Sequence, residues 1–324
     1  MTPATTDVAT GQDAVRLKAH RRQVVRHYRL VAVLMAPWLL GFLGFVLYPM
    51  LASLYFSFTR YNLLSPPQFV GFDNYRLMFG DPFFWLSIRN TLWMVMFAVP
   101  VQVMFAITMA SLIVKPKRGI KIYRTLYYLP SMVPAVAASV AFLFLLNPSV
   151  GPINSILRHL GMSNPPLWFY NPRWSKPGLL LLGTWGIGDT MIIFMAAMLD
   201  IPEELYEAAE LESANRWQKF RFVTLPMISP VIFFAVIIGL IYAFQYFTEA
   251  YVASEYITQG ASLGAPLGST LFYQTWLYEQ AFQTFHMGYA SAMAWMLFVI
   301  SMICIIVLMK ASKRWVHYEG GFLR

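Results

Sequence analysis

Cysteine and charge are scarce in this sequence. The 324 residues include one cysteine, Cys304, and only 12% of them are Asp, Glu, Lys or Arg. A single cysteine excludes an intrachain disulfide and a thiol pair for metal binding, and its position inside an apolar run indicates a packing role. The five histidines are scattered without the spacing of metal ligands, so no metal site is predicted.

The sequence also lacks any G-x-x-x-x-G-K-(S/T) segment, the loop that cradles nucleotide phosphates in ATP-hydrolysing proteins. We therefore predict no catalytic residue and expect that the chain is not an enzyme. No cofactor is expected in this chain, and any process driven by ATP would depend on another polypeptide.

Apolar residues dominate what is present. Hydrophobic residues make up 58% of the chain and aromatic residues 17%, which is typical of a membrane protein with several spans. Six apolar runs each exceed the roughly 20 residues that a helix needs to cross a bilayer. These runs are 30–59, 90–114, 125–147, 178–199 (containing Asp189), 227–252 (containing Glu249) and 286–309. The predicted fold class is all-α, a polytopic membrane protein with six transmembrane helices.

Prolines interrupt the first three runs. A proline removes one helical hydrogen bond, which membrane helices tolerate when neighbouring groups satisfy the freed carbonyl. These residues therefore predict kinks rather than sites. They are Pro37, Pro49, Pro100, Pro130 and Pro134.

Lysine and arginine fall mostly on one side of the predicted spans. That side carries 18 of the 24 basic residues: six before the first span, five after the second, three after the fourth and four after the sixth. The positive-inside rule assigns it to the cytoplasm, so both termini are predicted to be cytoplasmic. Residues 1–29 form a basic tail with an interfacial helix predicted at 14–29, residues 30–310 form the transmembrane domain, and residues 311–324 form a second cytoplasmic tail. The net charge of +9 is thus a topology signal rather than a sign of nucleic-acid binding.

A charged segment, residues 200–226, connects the fourth and fifth spans on that side. Asp200 is positioned to cap a helix, and Glu203 is positioned to complete a capping box. Ala208 and Ala209 then provide a small-residue face that lets another surface approach closely. The first part of the segment is therefore predicted to be a helix with a docking face.

The second part of the segment is predicted to turn back. Residues 213–215 have turn composition, and Asn215 is positioned to cap a second short helix. Pro226 then ends this helix before the fifth span begins. The whole segment is predicted to form a compact hairpin that docks into a groove of a partner.

The hairpin and the stretches around it resemble one family. EAAELESA, followed by a tryptophan and then by TLP, is similar to the cytoplasmic EAA loop of binding-protein-dependent ABC import permeases. Five further stretches look like the carbohydrate-uptake branch, in the subunit type that precedes its partner permease: LYPMLASLYFSFTRYNL, FVGFDNYRLMF, RNTL, YRTLYYLP and MGYASAMAW. The resemblance implies an ABC type I importer transmembrane domain, multi-pass in the bacterial plasma (inner) membrane.

In that family the EAA loop inserts into a cleft of the ATP-hydrolysing subunit. The resemblance implies as partners a second homologous permease in a heterodimer, two copies of an ATP-binding subunit that holds ATP and Mg, and an extracytoplasmic sugar-binding protein. The sequence departs from the family at Ser213, where a glycine usually takes a left-handed turn, and serine there would cost on the order of 1 kcal/mol. The implied coupling residues are Glu207, Ala208, Ala209, Ser213, Leu225 and Pro226.

Polar residues inside two of the spans form a candidate substrate path. Asp189 lies near the middle of the fourth run, where a charge costs about 3 kcal/mol or more unless it faces water or a partner. One stripe on the fifth span combines aromatic and hydrogen-bonding groups at helical spacing, as a hydroxyl-rich substrate requires. Its members are Tyr242, Gln245, Tyr246 and Glu249. In the alternative, Asp189 is a buried structural hydrogen-bonding group and the stripe packs against the second permease.

These observations predict the permease subunit of an ATP-driven sugar importer. An anionic substrate would require a lysine or arginine in the path, and no predicted span contains one. A neutral disaccharide or small oligosaccharide is therefore favoured over a glycerol-phosphate-type polyol. The other class is a proton-coupled secondary transporter that uses Asp189 and Glu249. This class gives the hairpin no role, and the sequence shows no internal repeat of the kind that many such transporters have.

Overall fold

The computed structural model describes residues 27–115, 118–259 and 263–316. The chain divides into two compact units, Met1–Phe56 and Ser57–Arg324. In the first unit the chain is helical from His27 onward, and this helix, α1, is His27–Ser57. The interfacial helix predicted at 14–29 falls almost wholly outside the described residues, as do residues 317–324 of the predicted C-terminal tail.

The described part of the second unit is mostly helical. A short antiparallel sheet comes first, in which β1 (Thr59–Arg60) pairs with β2 (Gln68–Phe69). The helices then follow in the order α2 (Asp73–Gly80), α3 (Pro82–Ile113), α4 (Ile120–Tyr128), α5 (Ala135–Leu145), α6 (Pro152–His159), α7 (Pro172–Trp185), α8 (Gly188–Leu199), α9 (Glu203–Leu211), α10 (Arg216–Lys219), α11 (Ser229–Phe244), α12 (Thr248–Thr258), α13 (Tyr273–Tyr278) and α14 (Met287–Ser312).

Four stretches of the described chain are each long and apolar enough to cross a membrane. They are α1, α3, α14 and the combined stretch of α11 and α12, Ser229–Thr258. Two further helix pairs qualify only together: α4 and α5 meet at 102°, and α7 and α8 meet at 52°. With each bent pair counted as one span the total is six, as the sequence predicts.

The sharp bend between α4 and α5 follows from two prolines. Pro130 lies in a 3-10 turn, Leu129–Met132, and Pro134 occupies the N-cap position of α5 with an extended backbone. Two prolines four residues apart remove hydrogen-bond donors from consecutive turns, so one straight helix cannot continue through both. The bend between α7 and α8 falls at Gly186 and Ile187, which lie outside both helices.

Prolines inside continuous helical stretches are accommodated differently. Three of them follow a π-helical turn that ends two residues earlier: Leu43–Leu47 before Pro49, Met94–Ala98 before Pro100, and Phe220–Thr224 before Pro226. Pro37 and Pro177 lie in α-helix without such a turn before them. A proline leaves the carbonyl four residues before it without a donor. The wider turn changes the hydrogen-bond spacing to five residues, as in the bond from the Val99 N–H to the Met94 carbonyl, and the helix continues.

Helix α3 forms the centre of one large hydrophobic core, where it packs against α8 and α11. Ala106 and Ala110 of α3 are fully buried, as is Phe194 of α8. Small side chains on one helix allow a neighbouring helix to approach closely, which is a common device in membrane proteins. This packing fixes the positions of α8 and α11 relative to α3.

Asp81 links three helices at the opposite end of α3 from the hairpin segment. Its Oδ1 accepts a hydrogen bond from the N–H of Phe83 (2.8 Å) and so caps α3. Its Oδ2 accepts hydrogen bonds from Trp276 Nε1 (2.9 Å) in α13 and from the Tyr289 hydroxyl (2.8 Å) in α14. One carboxylate therefore holds the starts of α3 and α14 against α13.

Candidate functional site

Helix α9 is the first arm of the hairpin between α8 and α11. It begins at Glu203 directly after Pro202, and no side chain caps it. The predicted cap at Asp200 is wrong, because Asp200 has a helical backbone conformation and ends α8, where its N–H donates to the carbonyl of Ala196 (3.1 Å). Glu203 and Glu204 instead place negative charge in the first turn, where it interacts favourably with the helix dipole.

Ser213 forms the turn of the hairpin with the left-handed conformation that the family resemblance implies, at a φ of 59°. Its N–H donates to the carbonyl of Glu210 (2.9 Å), and the N–H of Ala214 donates to the carbonyl of Ala209 (2.9 Å). This pair of bonds is a Schellman motif, which ends α9 and reverses the chain. A left-handed serine carries a steric cost from its Cβ atom that glycine avoids.

Helix α10 is the second arm, and Asn215 caps it as predicted. Asn215 Oδ1 accepts a hydrogen bond from the Gln218 N–H (2.9 Å), and Gln218 Oε1 accepts one from the Asn215 N–H (2.7 Å). Lys219 of α10 forms an ion pair with Glu210 of α9. The hydrogen bond and charge of this ammonium lower the pKa of the Glu210 carboxyl. The two arms are therefore joined directly.

The base of the hairpin is attached to the spans. The Tyr206 hydroxyl of α9 hydrogen-bonds with Thr224 Oγ1 (2.9 Å) in the segment that leads into α11. Leu225 and Pro226, two of the predicted coupling residues, are half-buried beside this contact. Tyr206 and Leu225 pack against a core that includes the buried Ile228. These contacts hold the hairpin in a fixed orientation.

The remaining predicted coupling residues lie at or near the hairpin surface. Two apolar side chains of the hairpin are also exposed, Leu211 (89%) and Trp217 (64%). Exposed apolar surface next to small residues and a carboxylate is typical of a protein-docking site. The four residues concerned are Glu207, Ala208 and Ser213, which are exposed, and Ala209, which is half-buried.

A cavity of about 430 Å³ opens between α3, α8, α11 and α12. Its volume falls within the range of roughly 300–1,000 Å³ that is usual for small-molecule sites. No lysine or arginine is among the described residues that line it, and the described residues contain no group of three His, Cys, Asp or Glu that could hold a metal ion. Its polar lining residues are Gln102, Thr190, Tyr242, Gln245, Tyr246, Thr248 and Glu249.

The predicted stripe on the fifth span does not form one helix face. Three residues separate the end of α11 from the start of α12, so 245–247 are not helical and the stripe prediction is wrong in its geometry. Tyr246 packs against Phe272 (5.3 Å between ring centroids), whereas Phe247 packs against Tyr278 (5.1 Å). These contacts hold the non-helical backbone, which still brings all four predicted stripe residues to the cavity.

Asp189 lies apart from the stripe residues. It is exposed in the first turn of α8, where the helix dipole favours a carboxylate, and its Oδ1 accepts a hydrogen bond from Ser131 Oγ (3.3 Å). Asp189 does not line the cavity. The break between α7 and α8 explains why a charge is tolerated in this run, because it makes Asp189 the start of a helix rather than its middle.

Sequence reasoning missed three polar lining residues, Gln102, Thr190 and Thr248. Gln102 lies so close to α7 that a Cβ atom added at Gly183 would overlap its side-chain amide. An amide inside the helical segment Val99–Ile113, whose other polar side chains are two hydroxyls, is the signal that could have identified it. Thr190 and Thr248 carry no comparable signal, because threonine is common in membrane helices.

Glu249 borders a second, smaller cavity of about 190 Å³. This cavity and the larger one share Gly183, Gly186 and Glu249 among their lining residues. The carboxylate therefore lies where the two cavities meet, next to the break between α7 and α8.

Basic residues occur in helical turns that lie outside the predicted apolar runs. Helices α3 and α7 begin before the apolar runs that mark them, and these earlier turns contain Arg89 in α3 and Arg173 and Lys176 in α7. None of the three lines the two cavities.

Comparison with known proteins identifies related sequences along the whole chain. Residues 102–318 match the family described as Binding-protein-dependent transport system inner membrane component. The chain is 39% identical over 313 residues to the probable ABC transporter permease protein YesP of Bacillus subtilis, covering 96% of this chain and 99% of that protein. It is 31% identical over 282 residues to the arabinooligosaccharides transport system permease protein AraP of the same organism, covering 86% of each.

Solved structures with the same fold include a bacterial ABC transporter involved in the import of the acidic polysaccharide alginate. The match has a TM-score of 0.73 and 26% sequence identity, and it covers 91% of this chain and 99% of that chain. The bacterial alginate ABC transporter in complex with an alginate pentasaccharide-bound periplasmic protein matches with a TM-score of 0.72 and 25% identity, covering 90% of this chain and 96% of that chain.

Proposed function

The chain belongs to the family of binding-protein-dependent transport system inner membrane components, and we propose that it is the subunit of an ATP-driven importer that passes a neutral sugar inward. Members of this family are integral membrane permeases of ABC transporters. The proposal adds the substrate class, the route through the chain and the partners.

The composition of the larger cavity carries the proposal. Amides, hydroxyls and one carboxylate supply hydrogen bonds to sugar hydroxyls, and aromatic side chains supply flat apolar faces for sugar rings. The Tyr246 hydroxyl is buried without a hydrogen-bond partner among the described residues. A polar ligand that reached it would offset a cost of about 1–3 kcal/mol.

The charge of this cavity favours a neutral substrate. Glu249 would repel a carboxylate or phosphate, and no basic residue of the described chain lines the cavity to offset that repulsion. The name of AraP indicates oligosaccharides as cargo for that relative. A neutral disaccharide or small oligosaccharide is therefore preferred for this chain over a glycerol-phosphate-type polyol. Asp189 remains a candidate path residue only through a route outside the cavity.

The hairpin is proposed to couple this chain to an ATP-hydrolysing partner. Two copies of an ATP-binding subunit would bind ATP and Mg, and the exposed face with Glu207 and Ala208 would enter a cleft of one copy. Support comes from the exposed Trp217 and Leu211 and from the rigid attachment of the hairpin base. Glu207 would face a basic residue in that cleft.

A second permease and a sugar-binding protein complete the proposed assembly. Helix α11 exposes Phe234 (53%) and Tyr242 (70%), two lining residues of the cavity, so a second permease could close this side. The cytoplasmic assignment of both termini rests on the 18 basic residues that one side of the spans carries. The sugar-binding protein would deliver its ligand from the opposite side.

Purification and calorimetry test the proposal. In mild detergent the chain should co-purify with a second permease and an ATP-binding subunit, whereas a proton-coupled carrier would be recovered alone. Calorimetry on the binding protein encoded beside this chain should detect a neutral sugar, and that loaded protein should stimulate ATP turnover by the reconstituted complex. A binding protein that recognises only phosphorylated or acidic ligands would contradict the neutral-sugar assignment.

A further inference from the structure

Arg89 and Lys176 are two basic side chains near the beginnings of neighbouring helices. Arg89 follows the first residue of α3, Pro82, by seven positions, and Lys176 follows the first residue of α7, Pro172, by four. At 1.5 Å per residue these positions are roughly 10 Å and 6 Å from the helix ends. Both charges therefore lie near the depth of a membrane surface rather than at the centre of the hydrocarbon.

Trp93 brings the two charges together. It follows Arg89 by one turn on the same face of α3, and Lys176 Nζ lies 5.7 Å from the centre of the Trp93 ring. Lys176 is half-buried in this position and experiences Coulombic repulsion from Arg89. The cation–π contact holds the ammonium in place but does not neutralise it.

No acidic side chain of the described residues balances this pair. Within residues 27–115, 118–259 and 263–316 the one ion pair closer than 4.0 Å joins Lys219 to Glu210, in the hairpin. The Lys176 ammonium over the Trp93 ring and the exposed Arg89, one turn from Trp93 on α3, are two nearby like charges, and an anion beside them would reduce their repulsion.

An exposed apolar surface continues along α3 from the two charges. Phe97 contacts the Trp93 ring (5.1 Å between centroids) and is 51% exposed, and Met104, about two turns further, is 61% exposed. The order along α3 is thus the Arg89 cation, then the indole ring of Trp93 with the Lys176 ammonium of α7 over it, and then apolar side chains. Tryptophan at this depth and apolar side chains below it are typical of a lipid-facing surface.

We propose that Arg89 and Lys176 bind the phosphate of an anionic phospholipid, whose acyl chain lies along Phe97 and Met104. The guanidinium and the ammonium supply the charge-assisted hydrogen bonds that a phosphate accepts, and the apolar surface matches the tail that follows it. A carboxylate of an acidic sugar fits less well, because the pair lies outside both cavities and next to apolar side chains rather than hydrogen-bonding groups. The site is independent of which substrate the chain transports.

Native mass spectrometry of the full chain in detergent tests this site directly. Dioleoyl phosphatidylglycerol should bind on the order of 30-fold more tightly than dioleoyl phosphatidylcholine. Phosphatidylglycerol carries a net negative charge that phosphatidylcholine lacks, and the two basic residues attract it. The double variant Arg89→Gln, Lys176→Gln should reduce the preference to within about twofold of unity. Arg76→Gln, which removes an exposed base of α2, should leave it unchanged.

A charge-preserving variant separates charge from packing. The exchange Arg89→Lys with Lys176→Arg should keep the preference for phosphatidylglycerol, whereas a loss of preference there would contradict a purely electrostatic site. Equal binding of the two lipids by the parent chain would overturn the proposal without any variant. Displacement of the lipid by millimolar inorganic phosphate would indicate a small-anion site, and displacement by galacturonate would indicate a sugar-carboxylate site; either result would also overturn it.

Discussion

The α-carbon of Gly288 lies directly against the carbonyl oxygen of Thr59, so that a Cβ atom on Gly288 would overlap that oxygen. The same carbonyl accepts a hydrogen bond from Asn74 Nδ2 (2.9 Å), which also donates to the Ser57 carbonyl (2.8 Å). The Gly288 N–H donates to the carbonyl of Tyr61 (3.2 Å). Backbone on both sides of the contact fixes the start of α14 against β1.

Gly288→Ala should therefore destabilise the protein by about 1–3 kcal/mol, because the added methyl group meets backbone that cannot rotate away. The melting temperature of the chain in detergent measures this effect. Gly80→Ala is the matched control, because nothing lies within 4 Å of the position its Cβ atom would take. Equal melting temperatures for the two variants would show that the contact at Gly288 relaxes freely.

Ser213→Gly should raise the melting temperature slightly and leave transport intact. Glycine takes a φ of 59° without the steric cost of the serine Cβ atom, which is on the order of 1 kcal/mol. The greater conformational entropy that glycine gives the unfolded chain offsets part of this gain. Ser213→Val should do the opposite, because a β-branched residue is strained in a left-handed turn. A stabilising Val variant would mean that the turn does not keep this conformation in the membrane-inserted protein.

If the hairpin docks onto an ATP-hydrolysing partner as proposed, Glu207→Lys should leave the chain inserted and assembled with the proposed second permease but uncouple transport from ATP turnover. Reversal of a charge that is buried against a partner costs roughly 2–5 kcal/mol. Glu212→Lys is the control, because Glu212 ends α9 on a different face and a lysine at a helix C-terminus is favourable. Substrate-stimulated ATP hydrolysis in proteoliposomes distinguishes them, and undiminished coupling in Glu207→Lys would exclude this face as the docking surface.

Glu249→Gln should transport the sugar at a substantial fraction of the parent rate, whereas Glu249→Leu should raise the apparent KM by roughly 5- to 150-fold. The amide still hydrogen-bonds to hydroxyls, but leucine removes a polar group worth about 1–3 kcal/mol from the cavity. Asp189→Leu tests the route outside the cavity, and an apparent KM near the parent value would remove Asp189 from the substrate path. If both Glu249 variants lose transport equally, the charge itself is required, as proton coupling or an ion pair would demand.

Reporter fusions test the proposed orientation of the chain. A fusion after Val316 should report a cytoplasmic C-terminus, and a reporter inserted between Leu263 and Leu267 should report the opposite side, because the segment around it carries no lysine or arginine. Activity of a cytoplasmic reporter at the second position would overturn the topology.

Local features of the hairpin were predictable because their causes lie within a few residues. Asn215 is of a residue type that favours the N-cap position, so the sequence predicts the cap that forms, whereas the capping box that Gln218 completes was not predicted. The turn at Ser213 also agrees with the family resemblance. Asp200 misled the prediction because its residue type suits a cap, while Pro202 determines where α9 begins.

The number of spans was predictable, but their ends were not. Hydropathy marks the apolar part of a helix rather than the helix itself, so α3 begins at Pro82, capped by Asp81, although its apolar run begins at residue 90. Contacts between distant residues gave no sequence signal. Asp81 meets Trp276 and Tyr289 roughly 200 residues later in the chain, and nothing in the local pattern around Asp81 indicates either partner.

The cavity was only partly predictable for the same reason. Four residues around the α11–α12 junction were identified by their polarity within one run, but Gln102 and Thr190 reach the cavity from other helices. Their positions depend on how α3 and α8 pack. Asp189 has the strongest polar signal in its run but faces Ser131 instead.

Two side-chain contacts of the hairpin oppose bending of its arms. Lys219 joins Glu210 across the turn, and Tyr206 joins Thr224 at the base, so a force applied at the tip bends neither arm without breaking one of these contacts. The force must instead rotate the segment that leads into α11, a helix roughly 24 Å long. The far end of that helix carries Tyr242 at the cavity. If α11 tilts by a few degrees about its hairpin end, its far end at the cavity wall would move by on the order of 1–2 Å.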